Sequence, residues 1–192
     1  PFWNNMFFSG TPFLSDPQSM LFYPPNIIFI ILPTNFAFIF WFIFHSLLGG
    51  IGAYIAARKG FVFSRIASVF TALFYITFPR TLGFAEAGHI TLSASIAWLP
   101  FILLASIWLA RKPNFYWLVL WAFCLTMLFF LFPTIFAPAF VLSILFIAIL
   151  WLFTKTRSLK TLNNLFLAII ITLGLISITL LPQLEWLPQT TR

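Results

Sequence analysis

The sequence predicts an all-α, polytopic transmembrane helix bundle of about six spanning helices, with short interfacial helices in an N-terminal outer loop. Hydrophobic residues make up 62% of the 192 residues and charged residues only 7%, and the mean hydropathy is +1.06. A surface with so few polar groups is suited to lipid rather than to water. The long apolar runs, separated by short basic or proline-containing turns, are therefore candidate membrane crossings.

Six runs are candidates for crossing a hydrocarbon core about 30 Å thick, because a helix rises about 1.5 Å per residue. They cover residues 36–57, 66–82, 90–110, 114–132, 134–154 and 163–181. The chain then forms a single transmembrane domain, residues 1–192, with an outer loop at 1–33 and a six-helix membrane region at 36–182. The second run is the shortest, because its apolar part ends at Phe78, just before Pro79 and Arg80.

The basic residues predict the orientation of the bundle. Eight of the ten lysines and arginines fall in the loops after the first, third and fifth runs: Arg58, Lys59, Arg65, Arg111, Lys112, Lys155, Arg157 and Lys160. Alternation places these loops on one side, which the positive-inside rule makes cytoplasmic. All three acids, Asp16, Glu86 and Glu185, then lie on the opposite face. Because the basic residues flank apolar runs, the net charge of +7 indicates membrane lipids and excludes nucleic acid as the partner.

The segment "PRTLGFAEAGHITLSAS" follows the short second run and is poorly suited to lipid. A bent backbone that faces a protein-lined cavity is expected here, with Arg80, Glu86 and His89 at its outer mouth. The third helix should begin near His89, where unpaired N–H groups could receive a phosphate. The alternative is an interfacial pair of Arg80 with Glu86 and a capping role for His89.

Asp16 lies in "SDPQSMLFY", a pattern typical of a helix start. Asp16 would be the N-cap and Pro17 the first helical residue of a short interfacial helix. Capping can be its whole role, but a capping carboxylate can also present its free oxygen to a cavity. Both interpretations stay open at this stage.

His45 lies in the middle of the first span, within a run of small residues four apart that includes Gly49 with Ala53 and Gly52 with Ala56. This spacing predicts close helix contact, and we expect His45 to be hydrogen-bonded and structural. Glu185, beside Trp186, is expected to anchor the outer interface. The single cysteine, Cys124, is expected to be a small buried hydrophobe.

The motifs of soluble enzymes do not occur. There is no glycine-rich phosphate loop, no HExxH, no GxSxG and no pair of cysteines, which excludes the corresponding nucleotide-binding, metalloprotease and serine-hydrolase classes. Two histidines and three acids leave little room for a dedicated metal cage. General-base chemistry would have to use Asp16, Glu86, Glu185 or His89, all on the outer face.

Three segments resemble a known family: "PFWNNMFFSGTPFLSDPQSMLFYPPN", "GHITLSASIAWLPFILLA" and "LLPQLEWLPQTTR". They are similar to the bacterial YfhO-type membrane proteins, a branch of the GT-C glycosyltransferases. The ordered set W-N, G-x-P-F, D-P-Q and Y-P carries the resemblance, and the helices between are generic apolar sequence.

The resemblance implies a multi-pass plasma-membrane enzyme of the cell envelope with an extracytoplasmic active face. Its donor would be a sugar on a polyprenyl phosphate, and its acceptor a hydroxyl of an unidentified glycan, polymer or protein. Asp16 and Glu86 would supply carboxylates, and Arg80 and His89 would bind the donor phosphate. The resemblance requires no cofactor and allows a divalent cation, Mg²⁺ or Mn²⁺.

The chain departs from the family at both ends. A first transmembrane helix and an outward acidic residue precede this point in the family, and further helices follow, so the chain is expected to be a fragment. Asp16 corresponds to the later D-P-Q position, which implies a supporting or second carboxylate. The competing class is a transporter or lipid flippase, which predicts polar residues at mid-membrane and internal symmetry. A membrane scaffold is a third class, in which Arg80, Glu86 and His89 would face different directions.

Overall fold

The computed structural model describes residues 3–6, 10, 12–78, 83–84, 86–153 and 158–189. Within these ranges the regular elements are helices, and no strand occurs. The α-helices are α1 (Ile28–Ile31), α2 (Thr34–Ile55), α3 (Arg65–Ile76), α4 (Ile90–Ile96), α5 (Leu99–Arg111), α6 (Phe115–Leu131), α7 (Pro133–Phe153) and α8 (Leu159–Trp186). Short 3₁₀ helices cover Phe13–Ser15, Pro24–Ile27 and Leu187–Gln189, and a π-helical turn, Ala56–Gly60, extends α2.

Four helical stretches in the described part are long and apolar enough to cross a membrane. They are α2 with its π turn (Thr34–Gly60), α4 together with α5 (Ile90–Arg111), α7 and α8. The other two predicted spans correspond to shorter helices: α3, with 12 residues, and α6, with 17. At about 1.5 Å per residue these reach about 18 and 26 Å. The all-helical fold is thus confirmed for the described residues, four helices are candidate membrane spans, and six crossings remain a prediction.

Side-chain caps mark where the short helices α3 and α6 begin. Ser64 begins α3 by accepting a hydrogen bond from the Ala67 N–H (3.2 Å), and Asn114 begins α6 by accepting one from the Trp117 N–H (3.0 Å). Serine and asparagine are favoured at this position because their side-chain oxygens satisfy N–H groups that have no partner in the first turn. These caps fix where the short helices start.

Pro100 explains why the third span is divided into α4 and α5. Proline has no N–H and its ring displaces the carbonyl four residues earlier, here that of Ile96. The freed Ile96 carbonyl accepts a hydrogen bond from the Tyr75 hydroxyl at 2.7 Å. A backbone group that lipid could not satisfy is therefore paired by a neighbouring helix, α3.

The centre of the bundle is formed by α5 and α6. Trp121, Leu125 and Leu128 of α6 have essentially no exposed surface, and Ala105 and Leu109 of α5 are equally buried. Helix α6 packs against α5, α7 and α8, and α5 packs against α2 as well. Helix α6 is therefore largely buried among other helices although it is one of the two shortest predicted spans.

Small residues allow α2 to approach its neighbours closely, as the sequence predicts. A Cβ atom added at Gly49 would lie 3.1 Å from the Tyr75 ring of α3, and one added at Gly52 would lie 2.6 Å from the Phe101 ring of α5. Helices in lipid associate by such packing, since apolar burial provides no drive between them. The predicted contact face of α2 is confirmed.

Candidate functional site

The described basic residues gather at one end of the bundle. Arg111 donates a hydrogen bond to the Gly60 carbonyl (3.1 Å) and so joins the C-terminal ends of α2 and α5. The Trp108 ring of α5 stacks on the Trp117 ring of α6, with centroids 5.7 Å apart, and the Lys112 ammonium lies 5.8 Å from the Trp108 centroid. The end of α5, the end of α2 and the start of α6 therefore share this basic end.

Asp16 lies at the opposite end. It borders a small crevice formed by residues of the N-terminal segment with Phe129 and Phe130 of α6 and Thr179 and Gln183 of α8, which belong to the C-terminal parts of those helices. Glu185, which is exposed, follows Gln183 in the last turn of α8. We call this the acidic end.

The Asp16 carboxylate stabilises a turn rather than a helix. Its Oδ1 accepts a hydrogen bond from the Gln18 N–H at 2.8 Å, and its carbonyl accepts one from the Ser19 N–H at 3.1 Å. The expected hydrogen bond from the backbone to the Asp16 carboxylate is thus present, but the predicted helix is wrong, because residues 17–23 form turns and irregular backbone. Aspartate commonly bonds its own backbone two residues on and so favours a turn over a helix.

The crevice beside Asp16 is too small for a sugar. It encloses about 10 Å³, close to the smallest space that holds one water molecule. The side chain of Asp16 itself is exposed. Any substrate of this carboxylate would therefore bind on the outward side, beyond the surface that Phe129 and Phe130 form.

Glu86 and His89 are both exposed and precede α4. The helix begins at Ile90, as predicted, and the backbone carbonyl of His89 accepts a hydrogen bond from the Ser93 N–H (3.1 Å), whereas the imidazole makes no cap. A phosphate site at the N-terminus of α4 is less favoured than the sequence predicts, because this helix has only seven residues. Arg80 lies outside the described residues.

The predicted site residues are thus placed in two groups. Asp16 is set against α6 and α8, while Glu86 and His89 follow α3 and lead into α4. Neither Glu86 nor His89 contributes to the lining of the Asp16 crevice. All three side chains are exposed.

A buried polar cluster crosses the interior of the bundle, and of its members the sequence predicts only His45. His45 is 4% exposed, and its two ring nitrogens lie 2.7 Å from the Trp41 carbonyl and 2.8 Å from the Tyr23 hydroxyl. The Trp98 indole donates to the same hydroxyl at 3.1 Å. The prediction of a hydrogen-bonded His45 is confirmed: its partners are the Trp41 carbonyl of its own helix and Tyr23 of the N-terminal segment. Trp98, at the junction of α4 and α5, joins the cluster through the Tyr23 hydroxyl.

The chemistry of these groups fixes the direction of each hydrogen bond. A carbonyl can only accept, so Nδ1 of His45 carries the proton and donates to Trp41. Its Nε2 is then the acceptor, and the Tyr23 hydroxyl donates to it while accepting from Trp98. Burial raises the pKa of the Tyr23 phenol, which keeps the donor protonated. Every polar atom of this cluster of three side chains is satisfied.

Tyr23 could have been suspected from its sequence context, "LFYPPN". A mid-membrane histidine needs a partner, and a tyrosine next to two prolines offers a hydroxyl on a conformationally restricted segment. What hydropathy could not show is that this part of the outer loop folds back into the bundle. Tyr23 is 1% exposed and packs edge-on against Trp41, with centroids 5.4 Å apart.

Comparison with known protein families, with characterised proteins and with solved structures finds no match to this chain.

Proposed function

We propose that this chain is a membrane domain of a GT-C-type glycosyltransferase, which moves a sugar from a polyprenyl-phosphate donor to an acceptor hydroxyl at the extracytoplasmic face of the plasma membrane. The observation that carries the proposal is the exposed Asp16 carboxylate at the acidic end, opposite the basic loops. The resemblance to YfhO-type proteins, which includes the D-P-Q segment, supports the same assignment.

The separation of charge supports an extracytoplasmic active face. The contacts of Arg111 with Gly60 and of Trp108 with Trp117 gather the basic residues at one end of the bundle. That end would face the cytoplasm under the positive-inside rule. The acidic end, with Asp16 and Glu185, would then be outside, where lipid-linked sugars of this kind are used.

The proposed reaction is a direct displacement. The acceptor hydroxyl attacks the anomeric carbon, the bond from that carbon to the phosphate oxygen breaks, and the hydroxyl proton passes to a carboxylate. In this step Asp16, at the position to which the resemblance gives a supporting carboxylate, would take the proton, and Glu86 is a further candidate carboxylate. Arg80 and His89 would stabilise the leaving lipid phosphate, which departs with the bonding electron pair.

A divalent cation is compatible with this step but is not required by it. Among the described residues no three histidine, cysteine or carboxylate side chains form a cluster. A Mg²⁺ or Mn²⁺ ion would therefore rely on phosphate and water oxygens beside a carboxylate such as Asp16, as Mg²⁺ commonly does. Its chemistry would be the neutralisation of charge on the leaving phosphate.

The interior of the bundle favours an enzyme over a transporter. A transport pathway uses polar or ionisable groups near the membrane midplane that can bind a substrate. Among the described histidines, acids and bases only His45 is buried, and both of its ring nitrogens are already bonded to the protein. It offers no unoccupied donor or acceptor for a transported substrate.

Vesicles that contain the full protein test the proposal. Synthetic polyprenyl-phosphate hexoses are supplied with an acceptor extract, and release of the lipid phosphate is measured. Asp16→Asn should lower turnover by about 10²- to 10⁴-fold, the usual contribution of a general base. Turnover should be seen in right-side-out vesicles and be lost in sealed inverted ones.

Glu185→Gln is the matched control, since it removes a carboxylate from the same end without touching the Asp16 crevice. It should keep wild-type turnover. Wild-type turnover in Asp16→Asn would remove Asp16 from catalysis. A wild-type protein that releases no lipid phosphate from any donor, on either side, would overturn the glycosyltransferase proposal.

A further inference from the structure

A large apolar cavity lies at the basic end of the bundle, away from the proposed catalytic face. It has a volume of about 470 Å³, within the ~300–1,000 Å³ typical of sites for small molecules. Alanines of α2 and its π turn, two phenylalanines of the following loop, and residues of α3 and α5 line it. Arg58 is bonded to the Phe63 carbonyl, and Lys59 and Arg65 flank Phe61 and Phe63 in the chain, so this end of the lining adjoins the basic loop.

The lining can receive hydrocarbon but hardly any polar ligand. Its two hydroxyl groups belong to Thr71 and Tyr75. Thr71 donates to the Ala67 carbonyl at 2.8 Å, and Tyr75 donates to the Ile96 carbonyl at 2.7 Å. Both donors are therefore used within the protein, and what the walls present to an occupant is apolar surface.

The shape of the cavity also suits a chain that runs along the membrane normal. Its lining extends from Phe61 and Phe63 at the basic end to Tyr75 on α3 and Pro100 on α5. From residue 65 to residue 75, α3 rises about 15 Å, which is about half of the hydrocarbon thickness. One acyl chain of the inner leaflet covers that depth.

The mouth of the cavity is held in a fixed and strained turn. Val62 has a φ of +61°, a conformation that β-branched residues rarely adopt. The N–H groups of Phe61 and Phe63 donate to the carbonyls of Ala56 and Ala57, at 3.1 and 3.0 Å, and Arg58 donates to the Phe63 carbonyl. Backbone strain that is held by so many bonds marks a functional segment more often than an ordinary loop.

Charge identifies the head group of the occupant. Lys59 and Arg65 are exposed and flank the Phe61–Phe63 turn in the chain, and the Arg58 guanidinium is fixed next to Phe63. The described acids, Asp16, Glu86 and Glu185, belong to the other end and leave these cations without an acidic partner. Three cations around an apolar opening attract a lipid whose phosphate carries a net negative charge.

We propose that this cavity binds one acyl chain of an anionic phospholipid from the inner leaflet, with the lipid phosphate between Arg58, Lys59 and Arg65. The site is separate from the proposed sugar-transfer site and does not depend on that activity. It would fix the depth of the short helix α3, whose length falls short of the bilayer, by filling the space along its Thr71–Tyr75 face with a bound acyl chain.

Photolabelling tests the proposal in the full-length protein. Two vesicle preparations have the same mixture of phosphatidylglycerol and phosphatidylcholine with identical acyl chains. In one preparation a trace of the phosphatidylglycerol carries a diazirine at the end of its acyl chain, and in the other a trace of the phosphatidylcholine does. The labelled peptides are identified by mass spectrometry, and labelling of the lipid-exposed α7 residue Leu142 serves as the reference for bulk lipid. The phosphatidylglycerol probe should label the peptides that contain Tyr75 and Leu99–Leu103, at the deep end of the cavity, several-fold more than the phosphatidylcholine probe does.

Two kinds of variant separate the head-group contacts from the chain contacts. Each of Lys59→Gln and Arg65→Gln should lower the preference for phosphatidylglycerol by about fivefold, while Lys160→Gln, a surface lysine at the start of α8, should leave it unchanged. Leu103→Trp fills the cavity and should remove the labelling of the cavity residues by both probes. Thr71→Trp replaces it if Leu103→Trp fails to fold, as judged by circular dichroism.

Equal labelling of the cavity residues by the two lipid probes would overturn the proposal. Labelling of these residues that is no stronger than that of Leu142 would also overturn it. Dimers formed when a thiol cross-linker joins Phe61→Cys copies through this turn would assign the cavity to a second copy of the chain instead. Preference for phosphatidylglycerol that survives in the Lys59→Gln, Arg65→Gln double variant would show that the basic residues do not select the head group.

Discussion

Helices α6 and α7 follow one another in the chain and are almost equally apolar, yet they have opposite environments. The side chains of α6 at Trp121, Leu125 and Leu128 are completely buried, whereas only 11% of the apolar window of α7 is buried within the protein. Hydropathy cannot distinguish the two, because lipid and a protein interior are both apolar. What separates them is packing density, which only the arrangement of neighbouring helices decides.

The largest difference in stability between buried and lipid-exposed positions should come from replacing a glycine by a large side chain. Gly52→Leu places a side chain where the Phe101 ring lies 2.6 Å from the new Cβ, and such insertions cost up to about 3 kcal/mol. Gly174→Leu, on α8, meets no atom within 4 Å and should change stability little. Unfolding in mixed micelles by a graded denaturing detergent measures both. Equal effects would mean that α2 does not pack on α5.

A substitution that leaves an empty space inside the bundle should also lower stability, but by less. Leu125→Ala removes packing contacts in the middle of α6, and we expect a loss of about 2 kcal/mol, the low end of the range for buried leucines. The expected loss of stability is small because the leucine side chain remains in apolar lipid when the helices separate, so that burial from water contributes nothing to it. Leu142→Ala on α7, where the side chain is 64% exposed, should cost far less in the same detergent titration. Similar losses at the two positions would contradict the inner position of α6.

The smallest effect should come from the buried polar cluster. Tyr23→Phe keeps the ring but leaves Nε2 of His45 without a donor and the Trp98 indole without an acceptor. Hydrogen bonds between membrane helices average about 0.6 kcal/mol and reach about 1.7, so we expect about 1 kcal/mol. Faster hydrogen exchange in residues 19–31 should accompany the loss, because the N-terminal segment is released.

Tyr116→Phe is the control for this change, since Tyr116 is exposed at the start of α6. It should alter neither stability nor exchange. If Tyr23→Phe also left both measurements unchanged, the hydrogen bond between Tyr23 and His45 would contribute no net stability, and packing of the ring alone would hold the segment.

Much of the fold could be predicted from the sequence, and the reason is the period and length of its apolar runs. The predicted starts near residues 90 and 114 lie within one residue of α4 and α6. The weak second span was recognisable because Pro79 and Arg80 follow so few apolar residues. The division at Pro100 was missed, since a single proline in a long apolar run does not reveal that a Tyr75 hydroxyl is available for the freed carbonyl.

The candidate site was less predictable, because it depends on long-range placement. The sequence identified Asp16, and it correctly indicated a hydrogen bond to nearby backbone, but the residues after it form a turn. It gave no indication that α6 and α8 would border this carboxylate. The relation of Asp16 to Glu86 and His89 could not be read from spacing, since 70 or more residues separate them.

The sequence by itself determined that the chain is helical and apolar enough to cross a membrane, and it determined which loops are basic. These properties follow from composition, because backbone groups in lipid must be paired within a helix and charges avoid the hydrocarbon. Only the tertiary structure decided that α6 is central, that Tyr23 folds inward to His45, and that a cavity opens beside Arg58. Those features depend on which side chains interlock across distant segments, and equally apolar runs do not encode this in their hydropathy.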